Sequence, residues 1–339
     1  NVPPISAATR YFVTVCHSLF RTFSQHPSSA PFTTFSGPDT SQSKMKPPPF
    51  AYHDPTSIEE VIDLLQRYGN EAKVLAGGQS LMPLLNFRLS YPSALIDINR
   101  VADLSYIQQE DGQVRIGALT RQRAIEFSQL VRSQLPLLHE ATTLVGHLPI
   151  RTRGTIGGSL AHADPAAEYP TVTMALDAEL VIQGPSGQRV VSAEEFFVSY
   201  LTTALSPNEV ITEVRFSSSL PTSGWAFEEF ARRHGDFAVV GVAAVIDTDG
   251  VQCRTARLAA AGVGPTPIRL RAAEYILEQE GVTDQDIQNT ADKAAELVQP
   301  DSDIHASADF RRHLTQVLTR RAIERAIERD RKRKRHERA

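Results

Sequence analysis

Leu75-Ala76-Gly77-Gly78-Gln79-Ser80-Leu81 and Arg153-Gly154-Thr155-Ile156-Gly157-Gly158-Ser159-Leu160 are the two stretches on which the reading of this chain turns. Each holds a Gly-Gly pair. Without a Cβ the backbone adopts positive φ readily, and another group can approach the peptide N–H donors closely. Successive N–H groups in such a turn form a nest for phosphate oxygens, and nearby Ser or Thr hydroxyls add donors. One loop of this kind most often marks only a tight turn. Two are able to grip the two ends of a single pyrophosphate, so the tight turn and the diphosphate cradle stand as competing readings. Other phosphate signatures are missing. There is no Gly-x-x-x-x-Gly-Lys-Ser/Thr, which leaves a P-loop nucleotidase without support. Gly262-Val263-Gly264-Pro265-Thr266-Pro267 lacks the third glycine of a dinucleotide fingerprint, and its prolines carry no N–H; it reads as a structural turn.

Outward from the first loop, the pattern is regular. Lys73-Val74-Leu75-Ala76 is a short strand leading into it, and Thr56-Ser57-Ile58-Glu59-Glu60 has the hydroxyl and the following Glu of a helix start. Ile58, Val61, Ile62 and Leu65 give that helix its buried stripe as far as Gly69. Strands are expected at 94–98 and 114–118, helices at 121–128 and 137–145, and strands again over 178–216 with turns at Gly184-Pro185 and Ser206-Pro207-Asn208. A Ser/Pro/Thr-rich connector at 217–223 precedes two apolar strands, 238–247 and 257–262, and then three helices. The last, near 309–329, places Leu314, Val317, Leu318, Ala322, Ile323 and Ile327 on one face. Strands first and helices after define a second domain of α+β type. The expected divisions are an extension at 1–44, a ligand-binding domain at 45–222, a C-terminal domain at 223–330 and a basic tail at 331–339.

The first methionine is Met45, and the 44 residues before it are rich in Ser, Thr and Pro with a single acid, Asp39. A transit-like segment and upstream sequence carried ahead of the natural start are the two readings. The second is favoured because a targeting peptide should itself begin with Met. Either way this stretch is expected to be disordered and without function.

At 339 residues the chain has room for about two domains. Its net charge of −4 hides an uneven distribution. Setting aside three basic residues and one acid in 1–44, and seven against two in the last eleven residues, leaves 25 basic against 36 acidic, or −11, for the body. An acidic body with one short basic end does not suit nucleic acid, whose readers carry a basic stripe on the fold. No apolar run approaches the length of a bilayer-spanning helix. Two cysteines, Cys16 and Cys253, are too few for a disulfide framework, a Cys-ligated iron–sulfur cluster or a thiolate zinc site, and a reducing, cytoplasmic setting is the expectation.

Beyond the two loops, several ordered motifs are familiar. Ala76-Gly77-Gly78-Gln79-Ser80 with Thr155-Ile156-Gly157-Gly158-Ser159 resembles the FAD-binding medium subunit of molybdenum hydroxylases, a family that includes the carbon monoxide dehydrogenase flavoprotein and the flavin domain of xanthine dehydrogenase. The likeness runs from residue 46 to about residue 329. It takes in Ile150-Arg151-Thr152-Arg153-Gly154, His162-Ala163-Asp164-Pro165-Ala166-Ala167-Glu168 and Phe230-Ala231-Arg232-Arg233-His234-Gly235-Asp236-Phe237-Ala238. The resemblance implies a two-lobed FAD-binding domain of the vanillyl-alcohol-oxidase (PCMH) type, followed by a C-terminal α+β domain with an antiparallel sheet and helices. It implies FAD held non-covalently, its pyrophosphate on the N–H groups of Leu75, Ala76, Gly77, Gly78, Gln79, Ser80 and Leu81 and of Thr155, Ile156, Gly157, Gly158 and Ser159. Glu168 would bind ribityl or ribose hydroxyls, and Leu205 would pack near the flavin ring. Phe237 stands where the carbon monoxide enzyme has a Tyr against the isoalloxazine, and Glu229 where several relatives carry Lys near the flavin edge. Gln79 replaces a His of some members, and Glu168 a commoner Asp.

By the same resemblance, substrate is hydroxylated at a molybdopterin cofactor on a large subunit. Electrons cross two [2Fe-2S] clusters on a small subunit to reach FAD here, and three chains associate as a dimer of heterotrimers. This chain is then an oxidoreductase subunit with no catalytic residue of its own. A stand-alone FAD oxidase of the same fold and a flavin-free structural subunit are the alternatives. Carbon monoxide, a purine and an N-heteroaromatic compound all remain open as substrate of the holoenzyme. Among the remaining residues, Asp164 reads as a turn cap, and Arg151 and Arg153 as partners either of the flavin phosphates or of an iron–sulfur subunit. His147 and His162 lack the companions of a metal site. His234 and Asp236 read as turn residues, and Trp225 as core. The basic run at 329–338 reads as a solvated helix end or, more sharply, as a contact for an acidic partner subunit.

Overall fold

Residues 46–218 and 223–337 are described by a computed structural model; the expected extension at 1–44 and most of the connector lie outside them. The chain divides into two units. Residues 50–80 and 92–339 carry every sheet. The other unit contributes, among the described residues, 46–49 and the segment 81–91 with its one helix, α2 (Leu81–Asn86).

The larger unit begins with β1 (Ala51–His53) and α1 (Ile58–Tyr68). Helix α1 starts where expected. The Ser57 hydroxyl accepts the Glu60 N–H, the Glu60 carboxylate accepts the Thr56 N–H at 2.7 Å, and Val61, Ile62 and Leu65 are buried. Strand β2 (Ala72–Leu75) and β3 (Ala94–Asp97) complete a parallel three-stranded sheet in the order β1-β3-β2. Leu75 is opposite Asp97 in that register, so the first glycine loop leaves the sheet beside the residues that follow β3.

A second, antiparallel sheet has the order β4-β5-β10-β6-β7. Its first hairpin joins β4 (Ile107–Glu110) to β5 (Gln113–Gly117) through Asp111 and Gly112, both at positive φ as a two-residue primed turn requires. Six helices follow: α3 (Gln122–Phe127), α4 (Gln129–Gln134), α5 (Pro136–Leu144), α6 (Leu148–Arg153), α7 (Ile156–His162) and α8 (Glu168–Ala175). The chain then returns through β6 (Glu179–Gly184), β7 (Gly187–Ser192), α9 (Ala193–Phe196), β8 (Phe197–Ser199) and β9 (Thr202–Thr203) to β10 (Val210–Ser217).

The third sheet is antiparallel, β11 (Gly224–Phe230), β12 (Val240–Thr248), β13 (Cys253–Ala261) and β14 (Ile268–Arg269) in sequential order. Strand β12 is apolar on both faces because both are covered: α8 packs on one, and α12 (Ala308–Glu337) on the other. Helices α10 (Arg271–Glu280) and α11 (Asp284–Leu297) complete the layer, the latter started by a capping box between Thr283 and Asp286. All eight residues of α8 are buried, since it has sheet on one side and α5 on another. Its first residue is Glu168, and the packing of α8 is what holds that carboxylate inside the protein.

The expectation for the C-terminus is corrected. Helix α12 does not end near Arg329 but continues to Glu337. The cause is Asp330, whose side chain is fully buried. It accepts from the Thr248 N–H at 3.2 Å and pairs with Lys334 at 2.8 Å and Arg333 at 3.3 Å, while Lys334 also binds Asp247 at 2.5 Å. The segment expected to be a solvated basic tail is thus partly an internal ion network.

Candidate functional site

The two glycine loops converge. A Cβ on Gly77 would lie 2.5 Å from the Arg153 carbonyl oxygen and 2.7 Å from Gly154 Cα, closer than any side chain is tolerated. On Gly158 it would lie 3.6 Å from the Ala76 methyl. Gly77 is therefore glycine because the second loop occupies the space beside it, and Gly78, at φ +73°, because the chain must turn there.

The loops differ in their free donors. In the first, the N–H groups of Gly77, Gly78 and Gln79 meet no acceptor among the described residues, while the Gln79 side chain folds back to donate to the Gly77 carbonyl at 3.2 Å. In the second, the expected row of free amides is absent. Ile156 N–H donates to Thr120, Gly157 to Ala118, Ser159 to the Thr155 carbonyl and Gly158 to the Thr155 hydroxyl at 3.1 Å. Only Thr155 keeps an N–H without a protein acceptor among the described residues. Gly154 and Gly157 serve packing instead. A Cβ would strike Gln122 Oε1 at 2.5 Å from the first and the Ala118 methyl at 2.6 Å from the second, so both let α7 sit directly on the segment after β5. Each N–H of residues 156–159 therefore has an acceptor within the chain.

Four groups that the sequence did not single out tie the loops together. Asn99, just beyond β3, donates from Nδ2 to the Ala76 carbonyl at 2.8 Å. Its Oδ1 accepts from Arg121 Nη2 at 2.5 Å, and Arg121 Nη1 donates to the Arg153 carbonyl at 2.5 Å. Asp97 fixes Asn99 through the Asn99 N–H at 2.9 Å and accepts from the Tyr52 hydroxyl at 2.7 Å. Burial opposes the Asp97 charge, but these hydrogen bonds and the nearby Arg153 hold its carboxyl below the usual range. No spacing rule links residues 52, 97, 99 and 121. Only the parallel register of β1, β3 and β2 brings three of them to one end of a sheet.

Glu168 and Glu229 also come together. Burial, and then the charges of Glu229 and Asp164, push the Glu168 carboxyl up to about 8. Burial pushes Glu229 up to about 7, and its Oε2 is buried without a hydrogen-bond partner among the described residues. Glu229 sits on β11 opposite Gly241. Asp164 caps the turn before α8, accepting the Ala166 N–H at 2.9 Å, as expected, and burial holds His162 beside it below its ordinary value.

The other expected residues are dispersed. Leu205 is half-buried against the main core behind β9, its N–H donating to the Thr203 hydroxyl at 3.3 Å. Phe237 is 56% exposed on the loop between β11 and β12, where residues 233–236 form the expected turn. Leu81 opens α2 in the other unit. Arg151 is committed elsewhere: it binds Glu126 at 3.0 Å and the carbonyls of Val145 and Gly146. Trp225 is half-buried under the Arg329 guanidinium, 5.1 Å from its ring centroid.

The groups present suit FAD. Free loop amides and the guanidinium of Arg121 match a diphosphate. A buried, unpartnered carboxylate oxygen on Glu229, next to Glu168, matches the hydroxyl donors of a ribityl or ribose chain.

Fold and site together define a domain suited to holding a flavin dinucleotide. Residues 48–218 match the family described as the FAD binding domain in molybdopterin dehydrogenase, and residues 225–326 the CO dehydrogenase flavoprotein C-terminal domain. The chain belongs to this family as an FAD-binding medium subunit of the molybdenum hydroxylases. It is 43% identical to the 6-hydroxypseudooxynicotine dehydrogenase complex subunit alpha of Paenarthrobacter nicotinovorans, over 85% of this chain and 97% of that one. Among solved structures it is similar to the carbon monoxide dehydrogenase of Hydrogenophaga pseudoflava (TM-score 0.82, 39% identity, 84% of this chain and 99% of that one). It is also similar to quinoline 2-oxidoreductase of Pseudomonas putida 86 (TM-score 0.80, 37% identity, 84% and 98%). Among the described residues no helix is long and apolar enough to cross a membrane.

Proposed function

We propose that this chain is the electron-transfer subunit of a cytoplasmic, molybdenum-containing hydroxylase, taking electrons from an iron–sulfur subunit and passing them to an external acceptor. Its partners are a molybdopterin-binding large subunit and an iron–sulfur small subunit, in a dimer of heterotrimers. The observation that carries the cofactor part of this reading is the contact of the two glycine loops at Gly77, with free amides on both loops. The names of the relatives, a dehydrogenase complex subunit and a carbon monoxide dehydrogenase medium chain, support the assembly. The proposed division of labour follows the expected boundaries, with residues 45–222 holding most of the cofactor and residues 223–330 adding Glu229 and Phe237.

Bound FAD supplies the capacity to accept electrons singly and release them singly or in pairs; the protein supplies binding, orientation and electrostatics. Gly77, Gly78, Gln79 and Thr155 offer N–H donors to the diphosphate. Leu75, Ala76, Ser80, Ile156, Gly157, Gly158 and Ser159 shape the walls around them. Glu168 and Glu229 accept from hydroxyls of the cofactor, and Leu205 and Phe237 present apolar surface toward the ring. Absorbance of the purified chain tests the reading: a flavin spectrum released by denaturation is expected, and reduction of that flavin by the holoenzyme's substrate only when both partner subunits are present. A colourless chain that takes up no FAD would remove the cofactor assignment, and reduction by substrate without partners would make the chain a stand-alone oxidase.

A further inference from the structure

Two cations flank the glycine loops without an ion pair. Arg153, exposed on the second loop, has no hydrogen bond or salt bridge from its side chain among the described residues. Arg121, half-buried, spends two of its five N–H donors, on Asn99 and on the Arg153 carbonyl, and forms no salt bridge among the described residues. Burial and then the like charge of Arg153 destabilise its protonated form. Asp97 acts on both, and it is already engaged by Tyr52 and Asn99. Arg100, nearby in sequence, is neutralised by Asp54 at 2.8 Å. A fold that holds two guanidinium groups together beside free amides keeps positive potential in place for an anion.

We infer that Arg121 is the positioning residue of the cofactor site. Bridged by Asn99, it fixes the first glycine loop to the second at the separation one diphosphate spans, and its charge, with that of Arg153, faces the diphosphate. The inference rests on the FAD reading above and adds to it a side chain that neither glycine motif contains. Carbonyls of both loops, at Ala76 and Arg153, are held by one hydrogen-bonded chain of two side chains. Loss of Arg121 therefore removes the link and half of the local charge at once. Replacing it by Gln keeps an amide donor but discards the charge and the fork that reaches both Asn99 and the Arg153 carbonyl.

The test uses the full chain stripped of flavin, with FAD binding followed by quenching of flavin fluorescence at several salt concentrations. Arg121→Ala should weaken FAD at least tenfold and flatten the dependence of affinity on salt, because a phosphate-facing cation contributes to that slope and a merely structural residue does not. Arg121→Lys should recover part of the slope, and Arg121→Gln should bind more weakly than wild type with the flattened slope. Asn99→Ala should weaken binding while leaving the slope unchanged. Affinity within twofold of wild type in Arg121→Ala, or an unchanged slope in both Arg121→Ala and Arg121→Gln, would overturn the inference while leaving FAD binding intact. Failure of the wild-type chain to bind FAD would overturn both. Should Arg121→Ala not fold, Arg121→Gln and Arg121→Lys decide the question by the same slope.

Discussion

Two carboxyl groups that prefer their protons make the cofactor-free chain sensitive to pH. Glu168 stands at about 8 and Glu229 at about 7, against an ordinary value of 4.5. Above about pH 5 the unfolded chain has lost these protons, while the folded chain holds that of Glu229 until about 7 and that of Glu168 until about 8. Folded protein then binds more protons than unfolded, so stability falls as pH rises through this window and levels off above it. Glu229→Gln carries no proton to lose. We expect the flavin-free wild type to lose stability between pH 5 and 8, with about 1–3 kcal/mol of that loss absent in Glu229→Gln, read from urea unfolding at each pH. Equal slopes in the two proteins would show that Glu229 ionises freely in the fold. The sequence marked both acids through their place in familiar motifs, but nothing in it told that they meet. Glu168 begins a helix and Glu229 lies in a strand 61 positions later, and only the packing of α8 against the third sheet joins them. Arg121 and Asn99 were less legible still, because each is an ordinary polar residue whose partners are backbone carbonyls.

At the scale of elements, starts were easier to read than ends. Helix α1 announces itself by a hydroxyl and a Glu three residues apart, chemistry contained in five residues. Strands β12 and β13 are apolar runs with turn residues between them, and lie close to where they were expected. The end of α12 depended on a distant acid. A basic run reads as solvated unless something is known to oppose it, and Asp330 is buried only because β12 lies beneath it. The state of the second loop's amides was hidden for a related reason: they look free in sequence, yet Ala118 and Thr120 just beyond β5 engage two of them. Ending the chain after Asp330 tests the α12 network. Asp330 would keep the Thr248 N–H but lose Lys334 and Arg333, leaving a buried carboxylate short of cations. The expected cost is about 2 kcal/mol or more, a fall of several degrees in Tm by calorimetry. An unchanged Tm would return residues 331–339 to the status of a solvated end.

For the larger unit as a whole, the site is a consequence of how three sheets meet. The first glycine loop hangs from the parallel sheet, the second lies against the end of β5 in the five-stranded sheet, and Glu229 comes from the four-stranded one. Composition and order predicted the α+β class, but not this arrangement. Strand β3 inserts between β1 and β2, and β10 returns nearly a hundred residues after β5 to pair with it, pairings that no local pattern encodes. A ligand that touches all three sheets and binds only the folded chain stabilises it by mass action, about 2.7 kcal/mol at a hundredfold excess over Kd. Gly77→Ala tests whether that gain depends on the loops meeting, since its methyl would fall 2.5 Å from the Arg153 carbonyl. The variant should unfold about 1–3 kcal/mol more easily without flavin, because backbone must move to admit the methyl. It should also lose most of the rise in Tm that excess FAD gives the wild type. Gly241→Ala, on β12 with its nearest contact an ordinary 3.4 Å to Phe227, should keep that rise. An FAD-dependent rise in Gly77→Ala equal to that of Gly241→Ala would mean that the cofactor does not bridge the loops.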